Sequence, residues 1–206
     1  MSHESNPPSS GSAKSAEQDL QRRLALALPE FTTRGFLFSS LLKSVQELGE
    51  DEALVRRCLE ASGERSFVEF FHYPTRSLVL LLSHAAQALR ERCGGFEEAL
   101  WQIGFRSAES LMGTLVGRAA QQHGGEPSQR LMLTLQSLYG DLTNYGKPAV
   151  SSMGRDRGVI SLHRTHLPLA YHEGSTQAIS RRSGLVPVSV RARETGSLSI
   201  DLEISW

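Results

Sequence analysis

The strongest constraint on this chain is a change of hydrophobic period at Asn144-Tyr145-Gly146. Before that point apolar residues recur at three- and four-residue spacing; after it they alternate with polar residues between turn signals. A period of 3.6 lines one side of a helix, and a period of 2 lines one face of a strand. The order predicts an α+β fold, with an N-terminal helical layer packed on a small C-terminal antiparallel sheet.

In the helical part, Leu20, Leu24, Ala27 and Leu28 predict a helix from Ala16, stopped by Pro29. Phe31 to Phe38 reads as a short strand, with β-branched and aromatic residues around Gly35. Leu41 to Leu48 returns to helical period, with Gly49 suited to the position just past a helix end. Glu52 to Ala61 follows as a helix with Leu54, Cys58 and Leu59 inward. Tyr73-Pro74-Thr75-Arg76 looks like a helix entrance, because proline in a first turn loses no hydrogen bond. The helix it opens runs to about Arg92 and is apolar nearly all round through Leu89, which predicts a place at the centre of the core. A short helix is expected over Phe96 to Ile103, and an amphipathic one over Ala108 to Ala120. Gly113 and Gly117 sit on its flank, where another helix could approach closely. That segment is too polar for a membrane dimer. Ser128 to Leu142 is one more helix.

In the second part, Val150 to Ser152 and Val159 to His163 are predicted as strands across a turn at Gly154 to Gly158. A helix over Gly174 to Ser183 precedes a final hairpin. There Val186, Val188 and Val190 face Leu198, Ile200, Leu202 and Ile204 across Glu194-Thr195-Gly196-Ser197, so one sheet face is apolar and the other wet.

The 206 residues suit one domain over 16–206, preceded by a Ser- and Pro-rich leader over 1–15 that reads as disordered. Leu78 to Leu82 is too short to span a bilayer, which takes about 20 residues. With no apolar signal run near Met1, a cytoplasmic location is expected. The 22 basic and 22 acidic residues balance, which removes the footprint of a nucleic-acid or lipid binder. Cys58 and Cys93 have no ligand-spaced partners and read as reduced thiols.

Taken in order, several short stretches resemble one family. They are Arg34-Gly35 running into Leu41-Leu42, Tyr73-Pro74, Ile103-Gly104-Phe105, Gly117-Arg118-Ala119, Asn144-Tyr145-Gly146 and the terminal Leu202-Glu203-Ile204-Ser205-Trp206. The family is a domain of unknown function restricted mainly to myxobacteria, and the resemblance covers Phe31 to Trp206. More distantly, the layout is similar to the helix-plus-sheet ligand modules of the haem nitric-oxide-binding and vinyl-reductase-associated families, which enclose a small molecule between layers. For haem, that resemblance implies an axial histidine on a pocket-facing helix and a Tyr-x-Ser-x-Arg clamp. Tyr171-His172-Glu173-Gly174-Ser175 lacks the clamp pattern, and the helix before the sheet has no histidine, so haem is disfavoured.

Seven histidines invite a metal site, yet none has a full ligand set nearby. His163 and His166 lie three apart without an acidic or thiol partner, and His84 sits in the most apolar helix, where a satisfied structural role is the plainer reading. His72 is expected to order the helix entrance. No Gly-x-Ser-x-Gly elbow is present, and the Gly-Gly pairs end helices instead of opening a phosphate loop. Thr75 and Arg76 at a helix N-terminus suit an anion, with capping as the simpler role. Arg155 and Arg157, and separately Arg181, Arg182, Arg191 and Arg193, form basic clusters that read as solvated faces or as a modest anionic-partner patch.

The expectation is a non-enzymatic binding module for a small apolar or amphipathic ligand or a partner protein, in signalling, without catalytic residues, metal or cofactor. Tyr73, Arg76, His84, Tyr145, Arg181 and Arg182 are its candidate ligand residues, with the pocket placed beside the Leu78 to Leu89 helix. The rival reading is a self-associating scaffold, dimerising through the Gly113/Gly117 flank or an edge strand. A haem-type sensor or an enzyme stands behind both.

Overall fold

Eight helices and six strands are traced over residues 10–146, 148–154, 156–185 and 189–206 in a computed structural model. Val186, Val188, Arg155 and most of the expected leader lie outside these described residues. Helix α1 runs Ser10–Ala25 and so begins inside the predicted leader. The short strand β1, Thr32–Arg34, pairs antiparallel with β2, His72–Pro74.

The predicted strand over Phe31 to Phe38 is therefore cut to three residues, and helix α2 (Gly35–Gly49) takes the rest. Its cause is distant in sequence. The first N–H groups of α2, at Gly35 and Phe36, donate to the Phe71 and Glu69 carbonyls at 2.8 and 3.0 Å. Those bonds satisfy donors that a helix start leaves open. A Cβ on Gly35 would lie 2.1 Å from the Val68 carbonyl oxygen, so only glycine permits the approach. At the other end Gly49 is still helical, and Glu50 carries the left-handed turn at φ 51°. Helix α3 (Glu52–Ala61) has the predicted bounds, with Asp51 accepting from the Ala53 N–H at 2.7 Å as its cap.

Helix α4 (Thr75–Cys93) starts one residue after Pro74, which stands at the cap position rather than inside the first turn. Its buried side packs chiefly on α3, α1, α2 and the next helix, α5 (Phe96–Met112). It is not apolar all round: Arg76, His84, Gln87 and Ala88 are exposed. α5 joins what the sequence divided, passing through Gly104 without a break, and ends at Gly113. Helix α6 (Leu115–Ala120) begins anew behind Thr114, whose hydroxyl accepts from the Gly117 N–H at 3.2 Å. The predicted single amphipathic helix is thus two, and Leu115, expected inward, is 59% exposed. Helix α7 (Pro127–Leu142) follows, opened by proline at its first turn.

A four-stranded antiparallel sheet is made by β3 (Pro148–Met153), β4 (Arg157–Leu162), β5 (Ser189–Gly196) and β6 (Ser199–Ser205), in the order β3-β4-β6-β5. Ile160, Leu162, Ile200, Leu202 and Ile204 form its buried face. The final turn lies at Ser197-Leu198, with Leu198 at φ 58°, so Leu198 turns the chain instead of extending the strand. Helix α8 (Leu169–Arg182), longer than predicted, connects β4 to β5 and covers the sheet. The sheet therefore packs on α8, while α4 is covered mainly by other helices.

Helices α5 and α8 approach each other closely, and that approach too rests on glycine. A Cβ on Gly104 would meet the Tyr171 carbonyl oxygen at 2.3 Å, and one on Gly174 the Trp101 carbonyl oxygen at 2.1 Å. Gly117 is packed on the backbone of Leu111 and Met112 in the same chain, which removes it from any dimer face. The β5 edge is also engaged, because the Ala192 N–H donates to a Glu173 carboxylate oxygen at 2.7 Å. Among the described residues, no helix is long and apolar enough to cross a membrane.

Candidate functional site

Where α2, α5, α7 and α8 fail to meet fully, a partly open cavity of about 70 Å³, lined mostly by buried side chains, remains. Its apolar wall comes from Leu37, Ala108, Leu111, Leu135, Leu138 and Ile179 among others. Its polar wall holds Tyr139, Tyr145, Thr165, Tyr171 and His172. The cavity lies beside α7 and α8, not beside the Leu78 to Leu89 segment where the sequence placed it.

The polar wall is wired to itself. His172 stands between two hydroxyls, with Nδ1 3.0 Å from Tyr139 Oη and Nε2 2.6 Å from Thr165 Oγ1. The Tyr171 hydroxyl lies 2.9 Å from Ser107 Oγ, which donates to the Gly104 carbonyl at 3.1 Å. Tyr145 reaches Thr33 Oγ1 at 3.2 Å, and Thr33 reaches Thr75 Oγ1 at 3.0 Å. Burial governs the ionisation of all four rings, because an apolar surrounding disfavours charge. It pushes Tyr171 up to about 12 and raises Tyr139 and Tyr145. It lowers His172 to about 3, with the Arg23 charge adding to the effect. The cavity is consequently walled by neutral groups.

Arg23 is itself fully buried, an unusual place for a charged side chain. Its Nε donates to Asp19 at 2.6 Å and an Nη to the Thr165 carbonyl at 2.9 Å, which ties α1 to the loop before α8. His166, also fully buried, lies between the rings of Phe31 and Tyr145, each 5.1 Å away. Burial lowers its pKa. Neither of its ring nitrogens has a hydrogen-bond partner among the described residues.

Of the six residues singled out from sequence, Tyr145 alone lines the cavity. The Tyr73 hydroxyl accepts from the Val68 N–H at 2.7 Å, and its ring packs on Phe38 and Phe67. Arg76 donates to the Leu24 carbonyl at 3.0 Å. His84 is exposed, not a satisfied core histidine. The Arg181 guanidinium lies 5.1 Å from the Phe105 ring centroid, and Arg182 is exposed. Arg193 pairs with Asp201 at 3.3 Å and Glu203 at 3.7 Å, which offsets the basic cluster it was assigned to. His163 points to Ser199 at 3.5 Å and does not join His166. His72 bridges Thr32 and Arg34 across the β1–β2 pair, its Nε2 accepting from Arg34 at 3.3 Å. No cluster of histidine, cysteine and acidic side chains suited to a metal is present among the described residues.

Sequence reading missed Tyr139, Thr165, Tyr171 and His172. A signal existed for Tyr139, a polar-tipped ring next to Leu138 and four residues after Leu135 on the inward flank of its helix. For the others the deciding neighbour belongs to a different element.

A family model described as "Protein of unknown function (DUF2378)" matches residues 26–206. No curated protein matches. Solved structures with the same fold include an H-NOX protein from S. oneidensis in the Fe(II)NO ligation state, at 13% identity and TM-score 0.62, covering 84% of this chain and 98% of that one. A second is the Fe(II) unliganded H-NOX protein from K. algicida, at 11% identity and TM-score 0.61, covering 84% and 95%. A third is an oxygen-binding H-NOX domain related to soluble guanylate cyclases, at 12% identity and TM-score 0.59, covering 83% and 92%.

Haem does not fit these residues. Pockets for drug-sized ligands occupy roughly 300–1,000 Å³, several times the 70 Å³ present. Both ring nitrogens of His172 are engaged, α7 carries no histidine, and among the described residues no charged side chain lines the cavity to hold porphyrin carboxylates.

Proposed function

We propose, for a chain that belongs to the DUF2378 family of proteins of unknown function, that it is a non-enzymatic sensor module binding a small molecule in its interior. The observation that carries this reading is the cavity between α2, α5, α7 and α8, apolar on one side and hydrogen-bonded on the other. Ligand sites have this composition, an apolar lining with a few placed polar groups. The likeness to H-NOX structures supports a ligand-sensing fold, while the cavity's size and neutrality argue for an occupant other than haem. An acid, base and nucleophile do not converge there: burial holds the tyrosines and His172 neutral, with Tyr139 bonded to His172, Tyr171 to Ser107 and Tyr145 to Thr33. Fold alone does not assign a ligand, so the cavity is the basis of the reading.

The test uses the purified full chain. Native mass spectrometry is expected to show a co-purifying small molecule, or xenon to shift the amide signals of Leu111, Leu138 and Ile179. Unmoved signals with no recovered molecule would count against a ligand site. A stoichiometric Soret band in the absorbance spectrum would return the protein to the haem sensors.

A further inference from the structure

Building on that reading of the cavity as a ligand site, we infer that it selects an uncharged molecule of about three heavy atoms with one hydrogen-bonding end, received by the Tyr139 hydroxyl.

Size follows from volume. An apolar cavity of roughly 150 Å³ holds benzene, and the volume here, about 70 Å³, is near half of that. Neutrality follows from the wall. Among the described residues no lysine, arginine, aspartate or glutamate lines the cavity, and an ion taken from water into such a place without a partner would cost several kcal/mol.

The choice of Tyr139 follows from its coupling to the His172 tautomer. The Ser107 hydroxyl gives its hydrogen to the Gly104 carbonyl, so the Tyr171 hydroxyl must donate to Ser107, and its hydrogen is spent. Ser175 donates to the His172 carbonyl, and Thr143 is bonded to the Tyr139 and Tyr145 carbonyls. Tyr145 continues into the Thr33 and Thr75 hydroxyls. Tyr139 differs, because its partner is a neutral imidazole with one N–H and one bare nitrogen. With the proton on Nε2, His172 donates to Thr165 and Tyr139 donates to Nδ1, which frees the Thr165 hydrogen and leaves Tyr139 only lone pairs for a ligand. With the proton on Nδ1, His172 donates to Tyr139, Thr165 donates to Nε2, and the Tyr139 hydrogen is free for a ligand acceptor. The His172 tautomer thereby sets whether Tyr139 gives or takes the bond, and neither arrangement leaves a ring nitrogen unpaired.

The test compares propane, ethanol, acetonitrile and formate, probes of similar size, by displacement of xenon from the full chain. Ethanol and acetonitrile are expected to bind about fivefold more tightly than propane, the effect of one neutral hydrogen bond, and formate not to bind. Tyr139→Phe is expected to abolish the advantage of ethanol over propane while xenon still enters. Should that variant fold poorly, the wild-type chain decides, since in its acetonitrile complex the ring nitrogen shifts of His172 must report a proton on Nδ1. Equal binding of propane and acetonitrile, entry of formate, or a proton on Nε2 in that complex overturns the inference while leaving the ligand site intact. Exclusion of xenon and of every probe overturns the ligand site itself, and the inference with it.

Discussion

Ala108→Val tests the cavity by the sign of a stability change. Ala108 lies on α5, buried, with its side of the helix lining the cavity next to Leu111. Valine adds two methyl-sized groups at that point. If they enter free space, their removal from water contributes about 1.6 kcal/mol. The β-branch costs roughly 0.5 kcal/mol in a helix interior. The net expectation is a gain of about 1 kcal/mol, equivalent to a rise in Tm of about 2–4 °C for a chain of this size. If the space is not there, the same two groups overpack the core and cost about 1–3 kcal/mol. The two cases differ in sign, so the result does not hinge on the accuracy of either figure. Urea unfolding of both proteins, with equal m-values to confirm comparable unfolding, reads it directly, and the response to xenon should shrink in parallel because the methyl groups take its place. A destabilisation of 1 kcal/mol or more at unchanged m would refute the cavity.

Gly104→Ala and Gly174→Ala should each destabilise the protein by about 1–3 kcal/mol in urea, because either Cβ would collide with a carbonyl of the facing helix; a neutral outcome would show that α5 and α8 are farther apart than described. The folded-state pKa of His172, about 3 against an ordinary 6.5, lets the unfolded chain hold a proton that the folded chain refuses. Its contribution to stability is therefore complete above pH 6.5 and is lost as pH falls toward 3, by at most about 1.4 kcal/mol per pH unit. His166 acts in the same direction. Urea titrations of His172→Gln should show a shallower decline across that range, and a slope equal to wild type would contradict the buried neutral ring. Cys58, fully buried with its thiol pushed up to about 11 by desolvation, should resist alkylation in the folded chain, while the partly exposed Cys93 is modified first. Peptide mapping that found Cys58 labelled at the same rate would imply ready opening of α3.

Local pattern was enough for elements whose ends are decided by their own residues. Asp51 caps α3 two residues from the N–H it binds, Pro127 opens α7, and the buried alternation of Ile200, Leu202 and Ile204 marks β6. It failed where the deciding partner is remote. Phe31 to Phe38 has the composition of a strand, but the Glu69 and Phe71 carbonyls start a helix at Gly35. Gly104 looks like a turn glycine and is a contact point for the Tyr171 backbone. The apolarity of α4 marked it as buried, yet periodicity tells which side of an element turns inward and not what it meets there.

The sequence by itself determined the α+β class, the order of helices before sheet, and the apolar face of that sheet, because each follows from spacing along one segment. Only the tertiary structure decided where the interior space lies and which polar groups surround it. Tyr139, Thr165 and His172 come from a helix, a loop and a second helix, and their hydrogen bonds exist only after α7 and α8 have packed around the same void.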